Sequence, residues 1–197
     1  MVAGDGRGQA LTLEAVVASV LILAAIGFAL QMTAVTPLSA STSSQHVENQ
    51  LQSTSEGVLD SVADTGALRE AVLYWNKTTG EFHGDASPFY RSGPPPNAFG
   101  DALSAAFGTR NVAYNVFVHY QTGDGIATQQ MVRQGQPSDH AVSASHTLVL
   151  TTSDRLVGPD ERGPRLGAVT DDEFYVARRS SGPYYNLVRI EVVAWCI

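Results

Sequence analysis

Glu14 stands at the threshold of Ala15 to Leu30, a stretch with no other charge, and one basic residue, Arg7, comes shortly before it. A charge inside bilayer hydrocarbon costs roughly 2.5–3.5 kcal/mol on insertion scales, so a carboxylate in this position has a partner or a task. The chemistry it offers is ion pairing and not turnover. Residues that would carry turnover do not assemble in the sequence. The histidines His46, His83, His119, His140 and His146 lack His-Glu-x-x-His spacing, and the single cysteine, Cys196, cannot build a thiolate zinc site. Asp139-His140 lies near several serines, yet no Gly-x-Ser-x-Gly elbow occurs, so the histidines read as surface or strand-face residues. Gly4-Asp5-Gly6-Arg7-Gly8 follows no strand, which argues against a phosphate cradle. Asp171-Asp172-Glu173 lacks the pattern of a dedicated calcium loop and reads as solvated charge. No enzyme activity, metal or cofactor is expected.

Asn76-Lys77-Thr78 is a different kind of site. It is the one N-x-Thr sequon, set in turn-forming residues that run to Gly80, and on an exported domain Asn76 is a glycan acceptor candidate. Cys196 has no partner within the chain, so no internal disulfide forms and the domain is held by its core; the residue reads as buried on a final strand, with an intermolecular bridge as the alternative. The 197 residues fit one domain plus an anchor. Acidic residues outnumber basic ones 19 to 12, a net charge of −7, and Lys77 is the only lysine. No clustered basic stripe is present, which argues against nucleic acid as a partner. Acid excess with scarce lysine suits a protein bathed in concentrated salt, where screening removes self-repulsion. A GC-rich genome would write the same arginine bias. The expectation taken is a halophilic archaeal protein.

The element that positions Glu14 is a helix. Ala15 to Leu30 is 16 residues, or roughly 24 Å at 1.5 Å per residue, and the flanking Leu11–Leu13 and Met32–Val35 extend it toward the ~30 Å hydrocarbon core. With Arg7 before the span and Arg69 the next basic residue, the positive-inside rule places the N-terminus in the cytoplasm and the body outside. An ordinary secretory signal cut after Ala40, beside Ser39, and a plain unprocessed single-pass anchor are the competing readings. Small residues within the span, such as Ala18, Ser19 and Gly27, would let helices approach closely, although no GxxxG motif is present.

Beyond Pro37, residues Val47, Leu51, Val58 and Val62 recur at helical offsets among Glu48, Glu56, Asp60 and Asp64, predicting an amphipathic helix that prolongs the first across a kink at Pro37. One or two further turns are expected at Ala67 to Trp75. Gly93-Pro94-Pro95-Pro96 interrupts any helix, and a short helix follows at Ala98 to Phe107. After Gly108 the period changes to two. Val112, Tyr114, Val116, Val118 and Tyr120 line one face of a strand, Thr122-Gly-Asp-Gly125 turns the chain, and Ile126 to Val132 returns. Ala141 to Thr152 predicts a third strand and Glu173 to Ala177 a weaker one. Leu187 to Cys196 closes the chain, with Val188, Ile190, Val192 and Ala194 alternating against Arg189 and Glu191. Helix first and antiparallel strands after is an α+β order.

Arg7-Gly8-Gln9-Ala10-Leu11-Thr12-Leu13-Glu14-Ala15 resembles the class III signal and N-terminal helix of type IV pilins. More narrowly it resembles uncharacterised haloarchaeal pilin-like proteins whose N-termini read Arg-Gly-Gln-Ala-x-Thr-Leu-Glu-Ala. The resemblance implies a leader, residues 1–8, removed by a prepilin-type peptidase at Gly8 or Gln9. It implies a transmembrane and assembly helix, 9–37, and an extracytoplasmic α+β domain, 38–197, whose long helix packs on a C-terminal antiparallel sheet. Pilins place the glutamate fifth after the cut; Glu14 is sixth after Gly8 and fifth after Gln9. The function implied is a structural subunit, a minor pilin or pseudopilin-like component of a surface filament or secretion assembly. Its partners would be the membrane, other pilin-like subunits and the assembly machinery. The alternative is a monomeric, membrane-tethered extracellular binding module.

Overall fold

The computed structural model describes residues 5–84, 88–91 and 93–197, and for 5–10 and 31–44 the backbone alone. They form two units, Met1–Val47 and Glu48–Ile197. In chain order the elements are α1 (Asp5–Asp64), α2 (Ala67–Leu73), β1 (Trp75–Asn76), β2 (Glu81–Phe82), α3 (Ala98–Phe107), β3 (Val112–Gln121), β4 (Ile126–Arg133), β5 (Val142–Thr151), β6 (Arg155–Val157), β7 (Arg162–Arg165) and β8 (Tyr184–Cys196). The class is α+β, with an N-terminal apolar helix and a C-terminal antiparallel sheet, as the sequence pattern implies.

In the first unit the segment Leu11–Leu30 is helical and exposed on every side. Leucine and alanine favour the helix, and even its large apolar side chains, such as Leu13 and Leu23, stand open. Its 20 residues extend about 30 Å at 1.5 Å per residue, the thickness of bilayer hydrocarbon. Among the described residues this is the one helix long and apolar enough to cross a membrane, as an anchor or a signal sequence does. The helical backbone of α1 includes position 37. The Pro37 side chain lies outside the described residues, as do those of Arg7, Gly8, Gln9, Ser39 and Ala40.

In the second unit the last turns of α1 bury Leu51, Ser55, Leu59 and Val62. These positions share one helix face. Leu51 and Val62 hold the places their spacing predicts, but Val47 is 48% exposed and Val58 is half-buried, with Leu59 at the centre of the stripe. Ser55 is tolerated there because its hydroxyl donates to the Leu51 carbonyl at 2.9 Å. Gly66 takes φ 82°, which ends α1 and starts α2 without the penalty a Cβ would bring. For α3, the Asn97 side chain accepts from Gly100 N at 3.1 Å and caps the helix.

Four antiparallel strands pair in the order β4-β3-β8-β5. Period-two alternation puts Tyr114, Val116 and Val118, Ala144 and Leu150, and Val188, Ile190, Val192 and Ala194 into one core. Leu51, Leu59 and Val62 of α1, Leu68 and Val72 of α2, and Phe99, Leu103 and Phe107 of α3 complete it. The opposite face carries Phe117, His119, Ser143, Thr147, Val149, Leu187, Arg189 and Glu191, all open or half-open, while Ala113, Asn115 and Trp195 on it are buried. Both sheet edges have partial cover. Gln52 Nε2 donates to Ser143 O at 3.0 Å and an Arg69 guanidinium nitrogen to Val149 O at 2.7 Å, occupying outward carbonyls of β5. Tyr90 exchanges two 2.9 Å backbone bonds with Met131 and Arg133 on β4. Such contacts blunt the tendency of an open strand to pair with another chain.

Residues Glu173 to Ala177 are not a strand. Glu173 turns its carboxylate back onto Thr170 N and Oγ1, at 3.0 and 3.1 Å, and Arg178 N donates to Asp171 Oδ1 at 3.1 Å. The segment becomes a closed loop that inserts Phe174 and Val176 into the core. A small hairpin, β6–β7, stands apart from the main sheet.

Candidate functional site

Glu14 lies on the exposed apolar helix, at its N-terminal end, where the sequence places it. Gly8 and Gln9 lie outside the residues whose side chains are described, so the structure adds no processing geometry. Along the same helix the Ser19 hydroxyl donates to Ala15 O at 2.7 Å. That internal bond is the means by which a hydroxyl is kept in an apolar helix without an external partner. The arrangement is one carboxylate at the end of an otherwise uncharged, fully exposed span.

On the open sheet face a chain of side chains crosses all four strands. His119 Nδ1 on β3 meets Thr128 Oγ1 on β4 at 2.8 Å. His119 Nε2 meets Glu191 Oε2 on β8 at 2.8 Å, and Ser143 on β5 donates to Glu191 Oε1 at 2.5 Å. Strand register creates it. His119 pairs directly with Thr128, while Glu191 lies diagonally from His119 and from Ser143, each within reach of a long side chain. Burial pushes the Glu191 carboxyl upward, but the bonds from Ser143 and His119 outweigh it and hold the group below the usual carboxylate range. Serine here bonds the carboxylate and not the imidazole, so nothing activates its oxygen as a nucleophile. The chain ties strands together. Beside it lies a shallow hollow of about 170 Å³ between Ile126, Thr147, Leu187 and Arg189.

Asn76 sits at the end of β1, with its Oδ1 accepting from Thr78 N at 2.9 Å and Thr79 N at 3.4 Å. Gly80 at φ 69° donates to Asn76 O at 2.9 Å and closes the turn. Asn76 also lines an open groove of about 400 Å³ between this turn and the β6–β7 hairpin. Trp75, itself buried and donating from Nε1 to Glu173 O at 3.1 Å, contributes to the groove floor together with His83. Burial pushes the His83 imidazole below its ordinary value, against a backbone bond at Trp75 that raises it. Lys77 reaches away to Glu173 at 2.9 Å. That bond, with those from Thr170, draws the Glu173 carboxyl down to about 2.

The remaining sequence candidates disperse. His140 bonds Glu48 at 2.7 Å and not its neighbour Asp139, and His146 bonds Asp60 at 3.3 Å. Both pairs join α1 to the β5 side of the domain. Asp171 and Glu173 take different partners, and no three His, Cys, Asp or Glu side chains converge as metal ligands among the described residues. Cys196 ends β8 exposed, not buried as its strand position suggested. It is the last residue of a strand in which the two preceding residues, Ala194 and Trp195, are buried. The four-strand chain and the groove were missed by sequence reasoning, because each depends on register or on a loop contact. The alternating Tyr114–Tyr120 and Val188–Ala194 patterns are the signal from which the former follows once the strands are aligned.

A family of unknown function, DUF7288, matches residues 7–194, and the chain belongs to it. The match runs from the residue before the predicted processing site into β8, ending two residues short of its last. No curated protein matches the chain, and no solved structure does.

Proposed function

We propose that this protein is a structural subunit of a type IV pilus-like surface filament or secretion assembly, in the manner of a minor pilin or pseudopilin. The observation that carries the reading is the 20-residue apolar helix, exposed throughout, with Glu14 at its N-terminal end. A surface of that kind is stable only in lipid or against other apolar helices. The carboxylate opposes insertion, so its presence is best accounted for by a cation supplied in the assembled state. A neighbour's N-terminal amine, freed when a prepilin-type peptidase cuts at Gly8 or Gln9, is that cation. The N-terminus then faces the cytoplasm and the sheet domain lies outside the cell, in the concentrated salt of a halophilic archaeon.

Glu14→Ala tests it. The variant is expected to partition into membranes at least as well as wild type, yet to be lost from co-purified assemblies. Quantitative pull-down at matched membrane levels, with N-terminal sequencing of the native protein, reads both claims. Recovery of the variant in assemblies at wild-type yield overturns the proposal, and a chain starting at Ser41 identifies a conventional signal peptide instead. One feature favours the second reading, a monomeric tethered binding module: the open sheet face offers apolar Val149 and Leu187 beside Arg189. A chain that is monomeric in mild detergent at its native abundance decides for that alternative.

A further inference from the structure

We infer that Asn76 carries a covalently attached glycan whose first sugars lie in the groove between the Asn76–Gly80 turn and the β6–β7 hairpin. This rests on the proposed placement of the domain outside the cell. Four features converge on one spot. The sequence Asn76-Lys77-Thr78 supplies the acceptor triplet. The turn holds Asn76 Oδ1 against Thr78 N at 2.9 Å, which fixes the amide plane with the oxygen turned into the loop and the nitrogen at its other end. Lys77 and Thr78 are exposed, so a transferase can reach the triplet without unfolding the core. Finally, Asn76 is itself a wall residue of the groove, so a sugar on its side chain starts beside it.

The groove has the chemistry of a sugar seat. Its volume, about 400 Å³, falls in the range of small-molecule sites, roughly 300–1,000 Å³. Pro159, Pro164 and the His83 ring give flat apolar surface, which suits the C–H face of a pyranose. Exposed Asp160, Glu161 and Arg162 at the rim offer acceptors and donors for its hydroxyls. Gly158 keeps the wall low: a Cβ there would lie 3.1 Å from Glu161 O and 3.7 Å from His83 Nε2. A peptide or nucleotide would need a row of backbone partners or a cluster of basic groups, and Arg162 is the one cation in the lining besides Lys77, which is engaged with Glu173.

The modification balances as a group transfer from a lipid-phosphate-linked sugar donor. A bond forms between Asn76 Nδ2 and the anomeric carbon. The carbon–oxygen bond to the donor phosphate breaks, its electron pair leaving on that oxygen, and Nδ2 gives up one proton to a base of the transferase.

The experiment uses the full chain, purified from the membranes of its own cells, with wild type, Asn76→Gln and Thr78→Ala compared. Intact mass should exceed the chain mass in wild type alone, and Thr78→Ala should lose the whole excess while leaving Asn76 in place. Hydrogen exchange over 155–165 should be at least threefold slower in wild type than in Thr78→Ala, with exchange in β3 and β8 equal. No excess mass in wild type, or an excess that survives Thr78→Ala, overturns the modification. An excess mass with equal exchange over 155–165 overturns the groove seat. Labelling of exposed Cys196 on whole cells with a membrane-impermeant maleimide separates the two ideas: a labelled chain with no added mass leaves export standing and removes the glycan, and an unlabelled chain removes both.

Discussion

Two stretches of α1 obey different rules. Between Leu11 and Leu30 every side of the helix is apolar and every side is exposed. From Leu51 to Val62 the apolar positions recur every three or four residues, and the face they form is buried while Glu56 and Asp60 stay in water. A helix hydrophobic all round needs a surrounding apolar medium, and a helix hydrophobic on one side needs one neighbour. The contrast shows that the same backbone geometry is written for two solvents. Glu14 stands exposed at the N-terminal end of the first stretch, whereas Glu48 and Asp60 of the second unit bond His140 and His146.

Substitutions of equal size should therefore have unequal readouts. Leu59→Ala, in the centre of the buried stripe at 1% exposure, is expected to cost the domain about 2–5 kcal/mol through lost burial and the cavity left behind. Denaturant melts should show this, while Leu21→Ala should leave the same midpoint unmoved. If the two behave alike, the distinction between the stretches fails. Leu21→Arg is the converse. It should oppose membrane insertion by about 2.5–3.5 kcal/mol, seen by carbonate extraction, with no change in domain melting.

Salt sharpens the contrast further. Residues 38–197 carry 17 acidic and 11 basic groups, a net −6, and screening their repulsion should raise the domain's melting temperature between dilute buffer and molar salt. Membrane partition of the Leu11–Leu30 span, with its single charge, should not follow it. A flat or falling melting curve removes the halophile expectation. The smallest expected effect concerns Glu173. With its pKa drawn from 4.5 to about 2, its contribution is full above the unfolded value and is lost as pH falls through about 2. An NMR titration should find that low midpoint in wild type, and Lys77→Met should move it upward.

Much of the fold was legible because burial leaves a period. Val112 to Tyr120 and Val188 to Ala194 alternate, since one sheet face packs on helices and the other meets solvent. α3 was legible through the Gly93–Pro96 break before it, whereas the Asn97 cap that starts it is seen only in the structure. Glu173 to Ala177 misled because an aromatic, apolar run with high strand propensity also suits a plug, and the deciding bonds from Thr170 and Arg178 lie at its margins. The β6–β7 hairpin escaped because Arg162-Gly-Pro-Arg165 is short and contains a proline, which marks an edge strand at best. Glu14 was legible as an anomaly of charge. The Thr128–His119–Glu191–Ser143 chain was not, since it appears only after four strands are set in register.

The place of β8 in the sheet has a consequence for how the protein is made. β3 and β5 both pair with β8, so these two strands, synthesised first, have no shared neighbour until Tyr184 to Cys196 arrives. About 60 residues separate the end of β3 from the start of β8, and at roughly 5–20 residues per second that is a wait of several seconds. During that interval the β3–β4 hairpin lacks its β8 neighbour and the core is open. The apolar helix is thus synthesised well before β8, and the four-stranded sheet closes only in a late step once that internal strand is made.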